Sequence, residues 1–267
     1  MKRDFTLSIY KELVSCLERG GYTFQTVHQF INDPAERVIL LRHDVDARKE
    51  HSLQFAWIQH ERGISGTYYF RLVPESFDKG IIREIAGMGH EIGYHYETMD
   101  TARGNPDLAL RQFEEGLERL REIAEVRTAC MHGSPLSKYD NRDLWKHVDY
   151  REYGIVAEPY FDLDFSSVLY ITDTGRRWDG DKVSVRDRSA DATINRNMAG
   201  KQALSKRYHF RSTGEIIRAC KEGRLPDKIM INFHPQRWTD SPALWTQELV
   251  MQNLKNVAKR VLRRVRG

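Results

Sequence analysis

Five short segments hold the residues that could do chemistry: LRHDVD (41–46), GHEIGYH (89–95), MHGSP (131–135), ITDTGRRWDGDKVSVRD (171–187) and INFHP (231–235). In the first, an apolar β-rich run, RVIL, leads directly into the acids. Side chains alternate faces along a strand, so Arg42, Asp44 and Asp46 share one face and His43 and Val45 the other. Two carboxylates on one face repel unless a cation lies beside them. Arg42 could serve, and so could a divalent metal; the plainer alternative is a surface pair of acids capping the next helix. In the second segment Glu91, Gly93 and His95 share a face, and continued alternation adds Glu97 to the side of His95. His90 falls on the opposite face and reads as a core or supporting histidine. A lone histidine such as His95 is often just a satisfied polar group, so the other segments decide its meaning.

Two further histidines stand where strands should end, His132 and His234. In the strand before His234, Ile229, Ile231 and Phe233 face one way, while Met230, Asn232 and His234 face the other. A polar Asn/His face on an apolar strand suits the lining of a site. The loop after residue 171 brings Asp173, Arg176, Arg177, Trp178, Asp179 and Arg186, a mixture suited to cradling a sugar or an anion. Ser134 lacks the GxSxG setting of a serine hydrolase, and no glycine-rich phosphate loop precedes a helix.

Positioning these residues requires alternating strands and helices, and the sequence supplies them. Helices are expected at about 5–20, 47–63, 79–88, 105–126, 214–223 and 242–264. Strands are expected at 37–46, 65–71, 90–95, 127–133 and 228–234, and near 153–158, 166–172 and 182–187. The clearest helix opens with Asn105 as cap and Pro106 in its first turn, and Leu110, Phe113, Leu117 and Leu120 mark its buried stripe. This order predicts parallel strands with crossover helices in one α/β domain over residues 1–267: a distorted (β/α) barrel. In such barrels, chemistry collects at the C-terminal ends of the strands.

The 267 residues carry 42 basic and 38 acidic side chains, a net +4 that does not by itself argue for a nucleic-acid partner. The basic residues do gather at the C-terminus, at Lys255, Lys259, Arg260, Arg263, Arg264 and Arg266. They read as the decoration of a last helix, where cations suit the macrodipole, and they leave peripheral contact with an anionic membrane open. Cys16, Cys130 and Cys220 have neither zinc-knuckle nor CxxC spacing, so a reducing compartment is expected. Lys11 and Glu12 interrupt the first apolar run, which reads as an amphipathic helix rather than a signal peptide, and no run reaches the ~18 apolar residues of a membrane span. A cytoplasmic protein is expected, with the oligomeric state open.

The ordered set LRHDVD, GHEIGYH, HGSP, TDTGRRWDG and INFHP resembles the polysaccharide deacetylase family, also called carbohydrate esterase family four. The resemblance runs from about residue 37 to about residue 238. Within the family it is similar to deacetylase-like proteins encoded among bacterial surface-polysaccharide genes. It implies a distorted β/α barrel that uses one metal, usually zinc, to hydrolyse acyl groups on sugars. Carried over to this chain, it implies Asp44 as general base, Asp46 and His95 as metal ligands and His234 as general acid. Asp173 and Trp178 match a motif that orients the catalytic groups. The family's second histidine ligand is here Met99, and a thioether is a poor ligand for a borderline metal. Glu97 is expected in its place on strand parity, with His132 and Asp100 as alternatives. The family's third motif normally carries an arginine; here it offers His132, which is also assigned to substrate with Asp173, Arg176, Arg177, Trp178 and Arg186.

The expected substrate is a small N-acylated sugar, nucleotide-linked or lipid-linked, in surface-glycan (O-antigen-like) biosynthesis. The arginines at 176, 177 and 186 would then meet a diphosphate. A non-catalytic sugar-binding relative and an amide hydrolase of a non-sugar substrate are the alternatives. Nucleic acid is not an expected partner, because no aromatic stacking surface separates the terminal cations.

Overall fold

The central strand of the sheet is buried on both faces, and its sequence shows why. All eight residues of β2 (Val38–Val45) are buried. A strand inside a parallel sheet with covered faces reads as a near-continuous apolar run. The computed structural model describes residues 3–133, 137–146, 148–178, 204 and 207–266, the stretch 258–266 by its helical backbone only.

The other strands are β1 (Thr23–Gln25), β3 (Thr67–Phe70), β4 (Glu91–Tyr96), β5 (Val126–Met131), β6 (Leu169–Thr172) and β7 (Lys228–Phe233). Every ladder is parallel. The hydrogen-bonded order is β5-β4-β3-β2-β7-β6, with β1 paired to the start of β2. Among the described residues no ladder joins β5 to β6. In the chain between them, Ala157 bridges to Thr128 of β5. The expected α/β class with parallel strands is therefore found. The strand expected near 153–158 is reduced to that bridge, preceded by a turn of 3-10 helix at Tyr150–Tyr153. The strand expected at 182–187 lies outside the described residues.

Helices cover the outer face: α1 (Leu7–Arg19), α3 (Lys49–His60), α4 (Lys79–Gly87), α6 (Pro106–Arg121) and α8 (Thr213–Lys221), with α9 (Pro242–Arg266) running to the end. Short helices α2 (Val27–Asn32), α5 (Thr98–Thr101) and α7 (Pro159–Asp162) sit at strand ends. Local signals fix their starts. Thr6 caps α1 by accepting from Ile9 N–H, and Asn105 caps α6 by accepting from Leu108 N–H. The α2 helix, absent from the sequence reading, carries a full capping box between Thr26 and Gln29. The α6 helix stops at Arg121 rather than 126, because β5 already begins at Val126.

Alternation along β2 divides the interior into two layers. Ile39, Leu41 and Val45 join the apolar layer between sheet and helices. Val38 and Leu40 face the other way, into a plug shared with Val27, Phe165, Val168, Tyr170 and Met230. Higher on that same inner face come Arg42 and Asp44, both buried. The inner face is thus apolar at the N-terminal end of the strands and polar at the C-terminal end. One glycine is demanded by this packing: a Cβ on Gly93 would lie 2.3 Å from the Tyr69 ring, which fills the space beside it.

Glu158 also belongs to this interior. It is fully buried; Oε1 accepts from Met131 N–H at 3.0 Å and Oε2 from Tyr160 N–H at 2.6 Å. Burial is the largest influence on its carboxyl and pushes it up to about 7, against the pull of those N–H donors, Arg42 and Arg142. An acid whose folded-state value exceeds that of the unfolded chain contributes stability below its unfolded value, near 4, and loses it as pH rises towards 7. Between pH 5 and pH 8 the unfolding free energy of the native protein is expected to fall by about 2 kcal/mol more than that of Glu158→Gln. Denaturant titrations of the two proteins at both pH values test this, and equal falls would refute it.

Candidate functional site

The polar end of the inner face is assembled from six strand ends. β2 delivers Asp44 and, one step past its end, Asp46; β3 is followed by Arg71; β4 carries His95 and is followed by Glu97. His132, Asp173 and His234 follow β5, β6 and β7. This is the C-terminal edge, where a parallel sheet leaves its loops free to carry function.

Asp46, His95 and His132 form the centre. One ligand-type atom from each lies within 4.8 Å of the others. Asp46 Oδ1 is 3.6 Å from His95 Nε2 and 3.7 Å from His132 Nε2. Donors around a tetrahedral zinc lie ~3.4 Å apart, close to both of these distances. The surroundings fit that use. Asp46 Oδ1 is buried and has no hydrogen-bond partner among the described residues. His95 Nδ1 lies 2.8 Å from the Cys130 carbonyl, and His132 Nδ1 lies 2.9 Å from Glu97 Oε2. Those acceptors hold the proton on Nδ1 of each ring and leave the Nε2 lone pair turned to Asp46. Burial, the largest influence on His95, outweighs the opposing pull of Asp44 and lowers it to about 4, so the ring is neutral at pH 7.

Glu97 is therefore found one step outside the position that strand parity gave it. The strand ends at Tyr96, and Glu97 adopts φ −140°, ψ 29° as it caps α5. Its carboxylate spans Arg71, at 2.8 Å from Nη2, and His132. Burial would raise this carboxyl, but His132 and Arg71 together lower it to about 2. Asp100 is likewise a support: it accepts from Ser137 and from Asn141 Nδ2, which also holds the His132 carbonyl at 2.8 Å. Met99 is buried in the outer apolar layer.

Asp44 stands beside the centre, its Oδ2 3.8 Å from His95 Nε2. Arg42 grips it through Nε and Nη2, both at 2.8 Å, and Asn232 Nδ2 donates to Oδ2 at 2.9 Å. Burial favours its neutral form, but Arg42, with His95 and His234, holds it well below the usual carboxylate range. On the far side, His234 Nε2 is 3.8 Å from Asp46 Oδ2. Its Nδ1 lies 2.5 Å from Asp173. Asp173 is fixed in turn by Arg237 Nη1 at 2.9 Å, Trp238 Nε1 at 2.6 Å and the His234 backbone N–H. Burial pulls the Asp173 carboxyl up, yet His234 and Arg237 outweigh it and keep it low.

Other expected residues lie elsewhere. Gly175 and Arg176 both take positive φ, at 74° and 58°, in the turn after β6. Trp178 is buried among Phe5, Phe233 and Trp238 and donates to Thr213, so it does not line the site. Arg176 stacks over Trp245, 4.4 Å from the ring centroid, and donates to the Trp245 carbonyl. Arg177 is exposed, and Asp179 and Arg186 lie outside the described residues. His90 is the core histidine that parity predicts: it bonds Gly66 N–H and the Ala56 carbonyl, and burial lowers it to about 4. The sequence reading missed Arg71, Arg237 and Trp238 as supports, whose partners are distant in the chain.

No family model and no curated protein matches this chain. Among solved structures it is similar to wild-type BA3943, a CE4 family pseudoenzyme from Bacillus anthracis, at 12% identity over 85% of this chain with TM-score 0.44. A mutant of that protein with restored enzymatic activity is similar at 11% identity over 85% of this chain, again with TM-score 0.44. The chain spans 62% and 65% of the length of those two structures. It is also similar to a CE4 esterase from Streptococcus mutans, at 13% identity, covering 94% of this chain and 91% of that one with TM-score 0.42. These structures bear the name of the family that the motifs resemble.

Metal analysis of protein purified without chelator tests the centre. About one divalent ion per chain is expected. His132→Ala should lose it, Glu97→Gln should bind it at least tenfold more weakly, and Met99→Leu should retain it. Retention in His132→Ala would remove that residue from the ligand set.

Proposed function

We propose that this protein is a metal-dependent hydrolase that removes an acyl group from the amide nitrogen of an N-acylated sugar. One observation carries the reading. An ionised carboxylate, Asp44, and a carboxylate-braced imidazole, His234, flank a group of three ligand-type residues at one mouth of the inner face. Asp46, His95 and His132 would hold the ion, and zinc suits a donor set of two imidazoles and one carboxylate. Such an ion would polarise the acyl carbonyl and acidify a water beside it.

The chain's own groups supply the proton traffic. Asp44 accepts a proton from the attacking water as the new C–O bond forms. Its carboxylate is a weak base, because Arg42 stabilises the ionised form, but it is available at every pH near neutrality. The grip also keeps it from turning away. His234 donates a proton to the nitrogen as the C–N bond breaks, giving a free amine and a carboxylic acid. Asp173 holds Nδ1 of His234 and so fixes the direction of its Nε2.

The substrate is proposed to be a small N-acylated sugar in a nucleotide-linked or lipid-linked glycan precursor. Arg176 is engaged by Trp245, so any diphosphate contact falls to other groups. The alternative of a sugar-binding relative without catalysis leaves the arrangement of Asp44 and His234 around the centre without a use.

Acyl release from an N-acetyl amino sugar and from an activated aryl acetate tests the roles. Asp44→Asn is expected to cost about 10²–10⁴-fold on both. His234→Gln should cost about that much on the amide and far less on the ester, whose leaving group departs without a proton. Equal losses for His234→Gln on the two substrates would remove it as the acid. No acyl release by metal-loaded native protein would favour the binding reading.

A further inference from the structure

The last helix, α9, is built the wrong way round for a helix that only packs on the body. It spans 25 residues, about 37 Å of length. A surface helix normally turns its apolar stripe to the core and its polar face to water. Here the buried residues of the middle turns are polar: Gln252 and Asn256 are buried, and Asn256 Nδ2 donates to the Gly175 carbonyl at 3.0 Å. The apolar residues face outward. Val250 is 52% exposed, Met251 47%, Leu254 61% and Val257 52%. With Leu244, they make up five of the seven large hydrophobics exposed among the described residues.

At 100° per residue these four fall within an arc of about 120°, centred opposite Gln252 and Asn256. The sequence beyond stays rich in apolar residues, with Ala258, Val261, Leu262 and Val265. Lys255 falls at one edge of the arc, and Lys259, Arg260, Arg263, Arg264 and Arg266 follow in sequence. From Lys255 to the end there are six cations, and no acid follows Glu248.

We infer that α9 lies on an anionic phospholipid surface, its apolar arc in the headgroup boundary and its cations on the lipid phosphates. The pattern combines an apolar face with basic residues, the composition of helices that lie in the interface plane. Charge selects this occupant over a second copy of the chain. Pairing two such helices would bring six cations against six with one acid, Glu248, in the whole of 247–267 to offset them. Nucleic acid would meet the cations, but residues 246–267 offer no aromatic on which bases could stack, and it would leave the apolar arc wet. No described helix is long and apolar enough to cross a membrane, so the contact is peripheral. The inference stands apart from the hydrolase reading, since it uses none of the residues assigned to the catalytic cluster.

Vesicle co-sedimentation of the full chain tests it, with phosphatidylcholine alone and with about one third phosphatidylserine. Binding is expected to the anionic vesicles and to fall at least tenfold at about 0.5 M salt, where the Debye length is only a few ångströms. Replacing the exposed residues together, as Val250→Ser, Leu254→Ser and Val257→Ser, should reduce binding at least tenfold with the melting temperature and acyl-hydrolase activity unchanged. Equal binding to neutral and anionic vesicles, or none to either, would overturn the inference. So would a concentration-dependent dimer without lipid that the serine variant abolishes, which would assign the arc to a second copy.

Discussion

The ion pair between Arg42 and Asp44 is the constraint on which the site depends. Both residues lie inside the sheet, two positions apart on one strand face, and neither could be buried there alone. Removing one partner of such a pair leaves an uncompensated charge and typically costs about 3–5 kcal/mol. The pair also fixes neighbours. Asn232 on β7 reaches the same carboxylate from the other side, and it bonds Tyr170 of β6 at 3.1 Å. Three adjacent strands are thereby set in register around one negative charge. The guanidinium lies over the rings of Tyr69 and Tyr160, which close the space beneath it.

Around this pair each histidine has one nitrogen assigned and one left to act. The Cys130 carbonyl holds His95, Glu97 holds His132, and Asp173 holds His234. Burial keeps His95 neutral, against the opposing pull of Asp44 and Asp46. The buried Asp173 carboxylate, itself fixed by Arg237 and Trp238, holds the His234 ring in place through Nδ1. One edge of a sheet thus brings together imidazoles held by different acceptors. Glu97 joins Arg71 to His132 beside the same carboxylate, Asp46. With Met99 in the outer apolar layer, His132 from the next strand reaches Asp46, and Glu97 orients it.

Much of this was legible in the sequence because strand parity is a local rule. It placed Arg42, Asp44 and the Asn232 side of β7 on the inner face, and it sent His90 to the core, where burial and hydrogen bonds satisfy it. The rule failed where its premise failed. Glu97 lies past the last strand residue, so alternation no longer governs its direction. The loop after β6 mixed arginines with an aromatic, a composition suited to ligands, yet after the positive-φ turn at Gly175 and Arg176 Trp178 lies in the core and Arg176 on Trp245. Composition carries no direction.

The sequence by itself determined the alternation of strands and helices, the parallel α/β class, the helix cap at Asn105, and the residues at the strand ends from which the site is made. Each follows from interactions within a few residues or from the two-residue and 3.6-residue periods. Only the tertiary structure decided that His132 joins Asp46 and His95, that Glu97 and Asp173 each orient a histidine, and that the apolar arc of the last helix faces away from the body. These depend on distances between groups 35 to 86 positions apart, such as His132 and Asp46. No local rule sets such distances, because the sheet order that brings those strand ends together forms only when the whole chain has folded.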